Sequence, residues 1–184
     1  MTLLREVIET FIRLVKAEIA PNAVLVPPDD VFEVPKVPSL VLQGPTPIED
    51  AARRCPAPLL LDDRAAMTFT ETAHPRLYHL DFELIATAGD APSVIDMQEK
   101  AVRFFQAHPT ISIGDRGALN LTLLVPLGAG RRVNLSNLRQ ASGRCRIEDC
   151  PVYGDAVREG KLIDTRIFEF RDGVAEDAVF GPQP

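Results

Sequence analysis

RLYHLDFELIATA, residues 76–88, splits cleanly when every second residue is read. Tyr78, Leu80, Phe82, Leu84 and Ala86 fall on one side, and His79, Asp81 and Glu83 on the other. Strand side chains alternate at period two, so the segment predicts a long strand with an apolar face backed by a polar one. The apolar face needs a covering layer. The polar face, with one imidazole and two carboxylates, is either a chemical site or a surface that meets water or a neighbouring subunit.

Just upstream, AMTFTETA (66–73) alternates weakly and His74–Pro75 supplies a turn. Residues 66–88 therefore predict an antiparallel hairpin of two long strands. Downstream, Gly89–Asp90 ends the strand, and SVIDMQEKAVRFFQA (93–107) predicts a helix whose apolar face carries Val94, Met97, Ala101, Phe104 and Phe105. Pro92 suits its start, where a missing N–H costs nothing, and His108–Pro109 ends it, because the residue before a proline is pushed out of helical space. Residues 2–19 predict an amphipathic helix, with Leu4, Val7, Ile8, Phe11, Val15 and Ile19 at three- and four-residue spacing and Pro21 as its stop. Further strands are expected at 118–126, 143–148 and 161–171, with short ones at 23–26, 31–34, 39–43 and 58–62 and a loop over 151–160. A long strand, then a helix, then more strands is the pattern of an α+β fold: a mostly antiparallel sheet with two main helices packed on one face.

The chain has 184 residues, the size of one ordinary domain, and its 46% hydrophobic content is enough for a real core. We therefore expect a single α+β domain over 1–184, with a mobile tail after Gly173. Of 16 prolines, nine lie between Pro21 and Pro58, so residues 21–65 are expected to be extended loops with short edge strands. The net charge of −6, with no run of Lys or Arg, argues against general nucleic-acid binding. Charges at Arg5, Glu6, Glu9, Arg13, Lys16 and Glu18 interrupt the N-terminal helix, which therefore reads as neither signal peptide nor membrane span, and a cytoplasmic protein is expected. Three cysteines do not make a disulfide framework and read as reduced thiols.

His79, Asp81 and Glu83 present three ligand types on one strand face, the set a metal-dependent enzyme would use. The plainer reading is the water- or partner-facing side of a half-buried strand, the default for an antiparallel sheet. Cys145 and Cys150 form one C-x4-C pair, whereas structural zinc sites use two tighter pairs, and Cys145 alternates with Ile147 as a core residue does. His74 and His108 each precede a proline at an element boundary. GAGRR (128–132) meets neither the P-loop nor the dinucleotide fingerprint, and Arg131 and Arg132 read as solvated side chains at a hairpin turn. Arg144, Arg146 and Arg158 lie among Glu148, Asp149, Asp155 and Glu159, a mixed-sign pattern that fixes register and partner choice in assemblies. The expected contact residues are thus His79, Asp81, Glu83, Arg131, Arg132, Arg144, Arg146 and Arg158, with no catalytic residue, metal or cofactor expected.

The order of elements is an N-terminal amphipathic helix, the strand RLYHLDFELIATAGD (76–90), the helix MQEKAVRFFQAHP (97–109) and the strand GKLIDTRIFEFRDG (160–173). Over residues 1–171 this layout resembles the tail terminator and tail completion proteins of tailed bacteriophages and related contractile particles. The resemblance implies a small α+β subunit that forms a ring, often a hexamer, on the end of the tail tube. Such a ring stops tube polymerisation and offers a surface to head-completion proteins of the neck. Its partners would be other copies of itself, the tube protein and the head-completion protein, in the virion or in the host cytoplasm during assembly. It would involve no membrane, and the family has no catalytic residues to carry over. Ring closure needs heterologous interfaces, for which the polar face at 79–83 and the proline-rich loops are candidates. Two rivals stand beside it: a metal-dependent enzyme using His79, Asp81 and Glu83, and a non-ring adaptor or baseplate component of a phage-like particle.

Overall fold

The computed structural model describes residues 3–28, 30, 36–128, 134–135, 137–154, 156–161, 167–171 and 174–178, with 134–135, 156–157, 167–171 and 174–178 described by backbone alone. In chain order the elements are α1 (Leu3–Glu18), β1 (Val24–Val26), β2 (Ser39–Glu49), β3 (Leu59–Asp63), β4 (Thr68–Thr72), β5 (Arg76–Ala88), α2 (Ala91–Ala107), β6 (Thr110–Ser112), β7 (Ala118–Val125), β8 (Asn134–Leu135), β9 (Leu138–Val152), β10 (Ala156–Lys161), β11 (Ile167–Arg171) and β12 (Val174–Ala178). Short 3-10 turns occupy Ala51–Arg53 and Gly114–Arg116. The chain divides into two compact units, Met1–Arg53 with Arg76–Val152, and Arg54–Pro75 with Tyr153–Pro184.

The first unit is a seven-stranded sheet in the order β1-β2-β5-β9-β7-β6, with β8 paired on β9. All its pairings are antiparallel except that of β1 with β2. This is the expected α+β architecture, with the opening strand at its centre. Leu80, Phe82, Leu84 and Ala86 of β5 are buried with Val7, Phe11 and Val15 of α1 and Val94, Met97, Ala101 and Phe104 of α2. The Phe11 ring lies 5.2 Å from Phe82 and 6.4 Å from Phe104, so one aromatic side chain ties both helices to the sheet. Each such side chain stabilises the fold by roughly 1.5–3 kcal/mol over leaving it exposed.

Local chemistry sets the helix ends. Asp90 is the N-cap of α2: its Oδ1 accepts from the Ser93 N–H at 2.8 Å, and that bond holds its carboxyl below the usual range. At the other end His108 N–H donates to Phe104 O at 2.9 Å, and Pro109 prevents a further turn. The proline-rich segment contributes β2, which β1 covers only from Val41 to Gln43, leaving Pro45 and Pro47 beyond β1's reach. Gly44 sits at φ +146°, where a Cβ would come within 2.8 Å of Asp81 O, so glycine is required. Gly44 and Pro45 form a bulge there, two residues against Phe82 alone.

Two expectations are corrected. β4 does not form a hairpin with β5: it pairs with β3 and β10, while β5 pairs with β2 and β9. The physical reason lies in burial. TFTET contributes no buried residue, whereas β5 supplies the core and needs apolar neighbours on both edges. The segment 151–160, expected to be a loop, ends β9 and holds most of β10. Of the strand expected at 161–171, Lys161 ends β10 and Ile167–Arg171 form β11, while residues 162–166 lie outside the described residues. β11 lies outside the main sheet and pairs with β12, a strand in the stretch expected to be tail. The strand expected at 31–34 lies outside the described residues.

The second unit holds the three-stranded antiparallel sheet β10-β4-β3 and the β11–β12 pair. At the β3–β4 connection Asp63 Oδ1 accepts from the N–H groups of Ala65 and Ala66, both at 3.0 Å. Among the described residues of this unit none is buried, and Leu60 and Leu61 are more than half exposed.

Candidate functional site

Period two places His79, Asp81 and Glu83 on the sheet face opposite the core, as their alternation with Leu80 and Phe82 requires. Strand register then supplies their neighbours. Asp81 stands beside Thr46 of β2 and Arg146 of β9, and Glu83 beside Gln43 and Arg144. The Asp81 carboxylate accepts from Arg146 Nε at 2.6 Å and Nη2 at 3.0 Å, and from Arg144 Nη2 at 3.3 Å. With its side chain only 7% exposed, this is a shielded, bidentate pair rather than a loose surface contact. Both carboxylate oxygens are engaged, so Asp81 is an anchor for two guanidinium groups and not a base in waiting. The same hydrogen bonds hold the Arg146 guanidinium firmly protonated.

The β2 bulge opens a shallow groove of about 350 Å³ above this pair, lined by Pro28, Gln43, Thr46, Ile48, Glu83 and Arg144 among others. Gln43 Nε2 donates to Pro28 O at 2.7 Å and so fixes one wall. On the far side Thr122 Oγ1 donates to Glu148 at 3.1 Å. The face therefore offers charged groups held in register, with Arg144 and Glu83 exposed.

His79 belongs to a different cluster. In β9, Glu148 and Asp149 together oppose His79 alone, a bulge that turns Asp149 inward at φ +61°. Asp149 N–H donates to His79 Nδ1 at 3.4 Å, and His79 Nε2 stands 3.9 Å from Asp50 Oδ2. Arg53 bridges the two carboxylates, with Nε 3.1 Å from Asp50 Oδ2 and Nη1 3.0 Å from Asp149 Oδ2. Ligand atoms of Asp50, His79 and Asp149 lie within 4.8 Å of one another. The row of His79, Asp81 and Glu83 thus does not converge on one point. Sequence reasoning singled out neither Asp50 nor Arg53, and their spacing to His79 carries no recognisable motif.

Arg158 sits over the Phe69 ring, 6.0 Å from its centroid, in the second unit. Arg131 and Arg132 lie outside the described residues. Cys145 and Cys150 are buried in the first unit, and burial, with Asp149 as a lesser cause, pushes the Cys150 thiol up to about 11. Burial raises the Cys145 thiol further, and Cys55 is exposed in the second unit. His108 Nε2 meets Glu18 Oε1 at 2.7 Å and its ring packs on Phe104, which joins the ends of α1 and α2. No helix among the described residues is long and apolar enough to cross a membrane. Comparison with protein-family models and with curated proteins finds no match to this chain.

Proposed function

We propose that the chain is a structural subunit of a phage-like tail, a ring-forming terminator that caps the tail tube and joins it to head-completion proteins. The observation that carries this reading is the outer sheet face. Both helices seal one side of β5, and the other side presents ion pairs held in register across β5 and β9, with Glu83 and Arg144 exposed. Fixed charges at a surface choose partners and orientation more than they supply raw affinity, which is what a subunit with a defined place in an assembly needs. The second unit supports the same reading. A three-stranded sheet with exposed Leu60 and Leu61 and no buried side chain among its described residues gains stability when another surface covers it.

In this reading the mechanism is geometric. One surface of the ring matches the tube end, and the opposite surface offers no site for a further tube subunit. Electron microscopy of particles assembled without the chain tests it. Overlong tails support a terminator, and tails of normal length reject it. Light scattering of the purified chain with tube ends adds the expected multimer.

A further inference from the structure

We infer that Asp50, His79 and Asp149 form a binding site for a divalent transition cation of the Zn²⁺ class, gated by Arg53. The three side chains come from the end of β2, from β5 and from the β9 bulge, and their ligand atoms already lie within 4.8 Å of one another. A further observation points to a ligand. Asp149 Oδ1 is shielded from solvent and has no hydrogen-bond partner, and an acceptor in that state is unfavourable unless something positive meets it.

Arg53 only partly answers the charge. Two carboxylates against one guanidinium leave the acidic side in excess, and nearby Glu148 adds to it. Arg53 engages the Oδ2 atoms and leaves Asp149 Oδ1 unmet. It stands on a three-residue 3-10 turn with its side chain more than half exposed, so it can swing into solvent as an ion enters. His79 turns one ring nitrogen toward each carboxylate residue: Nδ1 takes only the long 3.4 Å contact from Asp149 N–H, and Nε2 stands 3.9 Å from Asp50 Oδ2. One imidazole and two carboxylates suit Zn²⁺ or Mn²⁺. Ca²⁺ and Mg²⁺ favour oxygen ligands throughout, with water completing the shell, so the imidazole nitrogen selects Zn²⁺ over them. A bound ion would clamp the end of β2 to β5 and β9.

The test uses the full chain, stripped with chelator and carrying Cys55→Ser so that its exposed thiol takes no zinc. Titration calorimetry with ZnCl2, against CaCl2 and MgCl2, is expected to show one Zn²⁺ per chain and a raised melting temperature. Asp149→Asn, which keeps a residue tolerant of the left-handed backbone, and His79→Gln are each expected to weaken binding by about tenfold or more. Arg53→Gln is expected to tighten it. The absence of saturable Zn²⁺ binding, or binding indifferent to both ligand variants when circular dichroism shows them folded, overturns the site. Unchanged or weaker binding in Arg53→Gln overturns the gating role.

Discussion

Replacing Arg146 with Met removes the two shortest contacts to Asp81, at 2.6 and 3.0 Å, while keeping the aliphatic bulk of the side chain. Asp81 is then left with Arg144 alone, at 3.3 Å from a side chain that is 57% exposed. Breaking a fully buried ion pair by removing one partner costs about 3–5 kcal/mol, because it strands a desolvated charge. Arg144 remains to compensate in part, which lowers the expected loss for Arg146→Met to about 2–3 kcal/mol. Asp81→Asn should cost about 1–2 kcal/mol, since the amide keeps one acceptor for the guanidinium groups. The double variant should cost less than the sum by about 1–2 kcal/mol, the signature of side chains that act on each other. Urea unfolding with an unchanged slope measures all three. A loss below about 0.5 kcal/mol for Arg146→Met, with no coupling, is the behaviour of a solvated surface pair. That result would remove the argument that the outer face is built in register.

Two more outcomes check the packing. Gly143→Ala places a Cβ 2.8 Å from Leu127 N and Cα and from Val125 O, all backbone atoms, so a loss of about 1–3 kcal/mol is expected in the same urea assay; Gly89→Ala, with nothing within 4 Å, should be neutral. Native protein should react with a thiol reagent at Cys55 alone, with Cys145 and Cys150 reacting only in denaturant. Fast labelling of a second thiol in native protein contradicts the burial of the β9 core face.

Features carried by short-range pattern were legible in the sequence. The alternation of 76–88 and the helical spacing of Val7, Phe11 and Val15 determine which side chains are buried, and both helices and the core face of β5 follow. Pairing was less legible, because alternation identifies a face without identifying a neighbour. A turn at His74–Pro75 made a local hairpin attractive, yet the partners of β5 lie far along the chain on both sides.

The candidate site shows why side-chain type alone was insufficient. In sequence, His79, Asp81 and Glu83 form one uniform polar row. Two bulges, one in each strand that borders β5, divide it. The extra residue in β2 sets the groove beside Asp81 and Glu83, and the extra residue in β9 turns Asp149 toward His79. Asp81 is thereby committed to arginine, His79 to a cluster with Asp50 and Asp149, and Glu83 is left at the surface. Moving either bulge by one residue would exchange these neighbours without altering any residue of β5. The chemistry of this face is therefore a property of register, held in β2 and β9 by Gly44 and by the left-handed backbone of Asp149.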